Sequence, residues 1–178
     1  MVSLPILFWY FVILFGLVGA MRGWAREMLV TFSIILGIFL ITVLETYVPL
    51  VKNTIYVQGG APLFWMRTII LSILVFFGYQ TVNIRAINPA KLASDRLQDW
   101  LLGFMIGALN GYLFAGSIWY YMDQAGYPFS WIQAPQPGTP GYDTAMTMLN
   151  WMAPHWLVIP WVYFAVGVAF LFVIVVFI

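Results

Sequence analysis

LPILFWYFVILFGLVGAMRGWAREMLVTFSIILGIFLITVLETYV, residues 4–48, is the stretch that decides the fold. It holds two long apolar runs, about residues 4–21 and 28–48, joined by a short charged turn. A hydrocarbon core ~30 Å thick is crossed by about 20 mainly apolar residues in a helix. Each run is therefore long enough to span a bilayer. Pro5 falls in the first turn, where its missing N–H breaks no helical bond, and Pro49 ends the second run. No basic residue precedes the first run and no small-x-small site closes it. It reads as a retained span, not a cleaved signal.

Three more apolar runs follow at about residues 63–82, 100–122 and 156–178, the first of them after the turn Gly59-Gly60-Ala61-Pro62. None has the period-two alternation of membrane strands. The chain is 63% apolar and only 7% charged, against about 25% charged in a soluble domain. Lipid must be the solvent for most of this surface. The expected fold is an all-α integral membrane protein: about five transmembrane helices in a bundle, plus short interfacial helices. Residues 1–122 form a four-span core, 123–155 a Pro- and aromatic-rich interfacial segment, and 156–178 an additional C-terminal span. No soluble domain is expected at either end.

Between the third and fourth runs, Asn88 as N-cap and Pro89 at the first helical position predict a short surface helix. In residues 123–155, Pro135, Pro137, Gly138, Pro140 and Gly141 mark an irregular stretch. Asp143 then reads as the cap of a short helix with Ala145, Met148, Leu149 and Met152 on one face. Trp131, Trp151 and Trp156 suit a headgroup-level belt. Arg22, Arg26, Arg85, Lys91 and Arg96 fall on one side of this topology, and Lys52 and Arg67 on the other. The positive-inside rule then places the N-terminus outside and the C-terminus in the cytoplasm.

Chemistry-bearing residues are few. There is no cysteine and no basic run, so thiolate metal sites and nucleic-acid binding are not expected. Glu45, Arg67, Arg85 and Asp123 all stand near predicted span ends, where snorkelling accounts for them. His155 is the single histidine. Its imidazole is a possible ligand for a chlorophyll-type pigment, although a lone histidine beside aromatics is more often an interfacial residue. One histidine builds no zinc site and no catalytic triad. No metal site is expected, and no enzyme.

The glycines carry more. Gly103, Gly107 and Gly111 recur every four residues, with Asn110 bordering their face, and Gly16, Gly19 and Gly23 repeat the idea in the first span. Small residues let helix backbones approach closely in lipid, and a buried amide can bond across the contact. These are expected to be helix-packing grooves. Arg22, Arg26 and Glu27 form a charged cluster at the first turn. Glu27 faces the positive end of the second helix, and its partner, Arg22 or Arg26, is expected to meet it at the interface, outside the core. The plainer reading of this turn is a topology anchor and helix cap; the other is a cytoplasmic docking or gating site.

Two segments carry a family resemblance. One is Gly19-Ala20-Met21-Arg22-Gly23-Trp24-Ala25-Arg26-Glu27, between the first two spans. The other is Asp95-Arg96-Leu97-Gln98-Asp99-Trp100-Leu101-Leu102-Gly103, continuing through Gly107 and Gly111. In their order and position they resemble the colicin V production protein (CvpA) family of bacterial inner-membrane proteins, over about residues 4–122. The resemblance implies a multi-pass protein of the bacterial inner membrane associated with export or envelope maintenance. It carries over no catalytic residue. The segment after residue 122 departs from it and resembles new interaction surface.

Two functional readings follow. The first is a non-enzymatic structural or accessory subunit of a larger membrane assembly, with an energy-converting complex, photosynthetic or respiratory, as one setting. Its partners would be membrane lipids and other integral membrane subunits. No cofactor is intrinsic to the chain, and pigment, quinone or lipid would contact its aromatic and methionine-rich faces. The alternative is a stand-alone CvpA-like protein acting in export or envelope maintenance.

Overall fold

The computed structural model describes residues 3–80, 96–139 and 141–177. Among them the regular structure is entirely helical, without a strand. α1 (Leu4–Arg22) starts with Pro5 in its first turn and ends at Gly23, whose N–H donates to the Gly19 carbonyl at 2.9 Å. Gly23 has φ +87°, a conformation that L side chains rarely adopt. It reverses the chain directly into α2 (Trp24–Tyr47). α2 stops because Val48 precedes Pro49 and is extended, at φ −93° and ψ 110°. A π-helical turn and the three-residue α3 (Tyr56–Gln58) lead through Gly59 and Gly60, both at positive φ, into α4 (Gly60–Tyr79).

α5 (Arg96–Gln124) has 29 residues, or roughly 44 Å at 1.5 Å per residue. It is longer than a hydrocarbon core ~30 Å thick. Of the surface helix expected over Asn88–Asp99, residues 88–95 lie outside the described residues, and Arg96–Asp99 form the first turn of α5. α6 (Tyr142–Trp151) starts from Gly141 in a left-handed conformation. Asp143 is therefore not its cap, as the sequence suggested. It sits inside the first turn, where a carboxylate still favours the positive helix end. Ala145 and Leu149 of α6, with Met152 just beyond, are buried against Phe8 of α1 and Trp119 of α5. The segment thus covers one end of the α1–α5 pair.

The last run differs from expectation. Residues 153–156 form the single turn α7 (Ala153–Trp156), and α8 (Trp161–Phe177) begins only after Pro160. Proline lacks an N–H and disfavours helical backbone in the residue before it, so a helix from residue 156 is interrupted here. α1, α2, α4 and α5 are long and apolar enough to cross a membrane, and α8 is a shorter apolar helix. The chain is an all-α membrane protein.

α2 is the hub. It packs against α4, α5 and α8, while α1 lies mainly along α5. The core joins Ile34 and Ile38 of α2, Leu71 of α4, Leu113 of α5 and Val162 of α8.

Candidate functional site

The site begins with the closest helix contact. α1 and α5 run antiparallel: Gly19 faces Gly103 and Gly107, while Val12 and Phe15 face Gly111. A Cβ placed on Gly19 would collide with the Gly103 carbonyl oxygen and stand 2.8 Å from the Gly107 Cα. A Cβ on Gly107 would collide with the Phe15 carbonyl oxygen and stand 2.9 Å from the Gly19 Cα. These positions are in backbone-to-backbone contact, so even one methyl group needs a helix to move. Gly16 instead meets the Phe104 ring, at 2.9 Å from an added Cβ. Gly23 meets the carboxylate of Asp99, which also accepts from the Trp24 N–H at 3.3 Å. The first-turn segment and the glycine segment of α5 are therefore two sides of one contact.

That contact sets α5 beside the start of α2 and gathers a polar cluster from four helices. Arg22 Nη1 donates to Glu27 Oε1 at 2.6 Å, and Arg22 Nη2 donates to the Tyr79 carbonyl at 3.1 Å. The guanidinium also lies 4.3 Å from the Tyr79 ring centroid. Asn110 Nδ2 donates to Glu27 Oε2 at 2.9 Å and to the Glu27 carbonyl at 3.0 Å. Thr31 Oγ1 lies 2.7 Å from Asn110 Oδ1, to which it donates. Both carboxylate oxygens of Glu27 are thus engaged.

This corrects the interfacial reading of the turn. Glu27 is fully buried, and its cation is Arg22, whereas Arg26 is exposed and does not bond to Glu27. The physical reason is the glycine contact. With backbone against backbone at Gly19, Gly103 and Gly107, Asn110 reaches the first turn of α2 and closes the cluster over the carboxylate. A buried charge is tolerated only when paired and hydrogen-bonded, and Glu27 is both.

A second ion pair sits at the opposite end of α2. Arg67 Nε and Nη2 donate to Glu45 Oε1 and Oε2 at 2.5 and 3.0 Å, a two-pronged arrangement. The guanidinium lies 5.2 Å from the Tyr121 ring centroid and 5.9 Å from that of Tyr56. Snorkelling does not describe Arg67. It shares the inward face of α4 with Leu63, Phe64, Leu71 and Val75 and is itself buried. From that face the long side chain turns toward Glu45, not toward water. Arg85 lies outside the described residues.

Sequence reasoning missed Thr31, Tyr79 and the Glu45–Arg67 pairing. One signal was available: Glu27 and Glu45 stand 18 residues apart, about five turns at 3.6 residues each, and so share a face of α2. His155 is exposed, with its ring 6.2 Å from that of Tyr120 in an edge-to-face arrangement. Among the described residues no three His, Asp or Glu side chains gather as a metal-binding group.

Comparison with known proteins adds one match. The colicin V production protein family matches residues 4–136, about three-quarters of the chain. Among the described residues the match contains the four long helices, the two ion pairs and the glycine contact, and it runs past residue 122 into the segment after α5. No curated protein and no solved structure matches. The chain belongs to the colicin V production protein family.

Proposed function

We propose that the protein is a non-enzymatic, stand-alone CvpA-type protein of the bacterial inner membrane that contributes to export or envelope maintenance. The observation that carries this reading is the family match across all four long helices. The polar groups support it, because the buried Glu27 carboxylate is closed by Arg22 and Asn110 and Arg67 is paired with Glu45 within the bundle. We take the N-terminus as extracytoplasmic and the C-terminus as cytoplasmic. Arg22 and Arg26 cluster at one end of the bundle, and residues 123–155 at the other contain no Lys or Arg.

The test is a clean deletion strain. Uptake of a bulky, normally excluded antibiotic or dye should rise while respiration and membrane potential stay unchanged. Restoring the gene should reverse it. Unchanged permeability with impaired electron transport would overturn this reading.

A second reading, an accessory subunit of a larger membrane assembly, is favoured by the setting of α8. This helix packs on α2 and leaves open apolar grooves along both flanks, lined by Phe32 with Phe164 and Phe172 on one side and Leu36 with Phe170 on the other. Another subunit, a pigment, a quinone or a lipid tail would each fit such surfaces. Stoichiometric recovery with other membrane subunits in mild detergent would favour this second reading; elution alone would eliminate it.

A further inference from the structure

The Glu45–Arg67 pair forms one wall of a crevice of about 360 Å³. At ~30 Å³ per water molecule this volume equals about a dozen waters. α2 contributes Thr42 and Glu45, α4 contributes Arg67, and α5 contributes Tyr120 and Gln124. The link between α7 and α8 closes the other side with Leu157, Val158 and Ile159. One side is therefore polar and charged and the other aliphatic. Val158 and Ile159 are exposed on the outer surface of the bundle, so the apolar side opens where lipid runs. Trp156 and Trp161, at the two ends of the link that carries Leu157, Val158 and Ile159, are also exposed. Tryptophans of this kind sit at headgroup level.

The charges define the occupant. A lone anion drawn to Arg67 would meet the Glu45 carboxylate, and a lone cation drawn to Glu45 would meet the guanidinium. A ligand carrying both charges a few bonds apart satisfies both. The pair leaves capacity for it. Arg67 uses Nε and Nη2 toward Glu45, and Nη1 takes no part in that pairing. A carboxylate accepts about four hydrogen bonds, so Glu45 has further sites. The Tyr120 hydroxyl and the Gln124 amide, 3.4 Å apart, add polar groups at the rim. With Glu45 as the one carboxylate among the lining residues, the crevice has no donor set for a metal ion.

We propose that this crevice binds the headgroup of a zwitterionic phospholipid with a primary ammonium group. Its phosphate engages Arg67 and its ammonium engages Glu45, while the glycerol and first methylenes lie against Leu157, Val158 and Ile159. The site is independent of the cellular role proposed above. A charged side chain buried in a membrane bundle commonly marks a functional site. A lipid headgroup explains why this pair is kept beside an open, half-apolar space.

The test is native mass spectrometry of the purified full chain, titrated after delipidation with phosphatidylethanolamine, phosphatidylcholine or phosphatidylglycerol. Phosphatidylethanolamine should bind about tenfold more tightly than the other two, because trimethylammonium donates no hydrogen bond and the glycerol headgroup has no cation. The double variant Glu45→Gln/Arg67→Gln removes both charges together and leaves neither buried alone. It should keep its thermal midpoint near wild type and lose the preference. If that variant does not fold, Thr42→Leu narrows the crevice with the ion pair intact and should weaken phosphatidylethanolamine binding alone. Equal binding of the three lipids overturns the proposal. So does an unchanged preference in the folded double variant, or in Thr42→Leu where that variant decides. Free phosphoethanolamine binding as tightly as phosphatidylethanolamine would show that Leu157, Val158 and Ile159 contribute nothing, assign the crevice to a soluble zwitterion and overturn the lipid assignment.

Discussion

Gly107 and Gly167 are both glycines in apolar helices, yet they stand in opposite surroundings. An added Cβ at Gly107 meets the Phe15 carbonyl and the Gly19 backbone, whereas at Gly167 it meets nothing within 4 Å. Gly107→Leu should therefore destabilise the protein in detergent by about 1–3 kcal/mol or more through overpacking. Gly167→Leu should be neutral or slightly stabilising, since it removes a poor helix former. Thermal melts of the two variants side by side check this. Equal midpoints would mean that the α1–α5 contact tolerates separation. Glu27 makes a different kind of point. Replacing Glu27 by Gln leaves the Arg22 guanidinium, 19% exposed at its side chain, without its counter-charge. Breaking a buried pair from one side costs about 3–5 kcal/mol, toward the lower end where one partner is partly exposed. Arg22→Gln should cost a similar amount, and Arg22→Gln/Glu27→Gln less than the sum of the two. A double-mutant cycle on thermal stability measures that coupling; strict additivity would show the two side chains to be independent.

At the scale of the element, α8 and α1 contrast in what holds them. α1 is fixed along its length by the glycine contact with α5. α8 touches the bundle through α2, with Phe172 against Phe32 and Tyr163 against Phe39. A chain truncated after Pro160 should insert and fold, with a smaller loss of thermal midpoint than Gly107→Leu produces. Circular dichroism in detergent checks this, and a truncated chain that fails to fold would show that the core depends on Val162 and the rest of α8. The element boundaries follow from local chemistry. Gly23 ends α1 because its φ of +87° suits glycine, Pro49 ends α2, and Pro160 delays α8. Each of these signals is local and readable in the sequence. The interruption before α8 was nonetheless missed, because hydropathy alone carries the last run straight through Pro160.

For the whole molecule, the two ion pairs lie toward opposite ends of α2, with Glu27 and Glu45 about 27 Å apart along the helix at 1.5 Å per residue. Between them the inward face of α2 is the apolar set Ile34, Ile38 and Ile41. The described bundle is thus charged near both ends of α2 and apolar along the inward face between them. Orientation is testable cleanly because the chain has no cysteine. Gly138→Cys, in the exposed stretch before α6, should react with an impermeant thiol reagent in intact cells. Arg26→Cys, exposed at the opposite end, should react only after permeabilisation. The reverse pattern would invert the topology.

The sequence by itself determined the solvent, the helices and the family. Apolar runs of about 20 residues have one stable form in lipid, since every backbone polar group must be bonded within its own helix. The glycine spacing likewise marks a close-packed face before any partner is known, because periodicity is a property of one helix. Only the tertiary structure decided what each face meets. Gly107 fits against Gly19, and Asn110 reaches Glu27 across 83 residues of chain. Arg67 finds Glu45 across 22 residues, on another helix. Whether a charge near a span end turns outward to water or inward to a partner depends on the rotation and register of two helices relative to each other. A rotation of one residue step, about 100° at 3.6 residues per turn, exchanges the two outcomes. That information is held by the packing of the bundle as a whole and by no local pattern of residues.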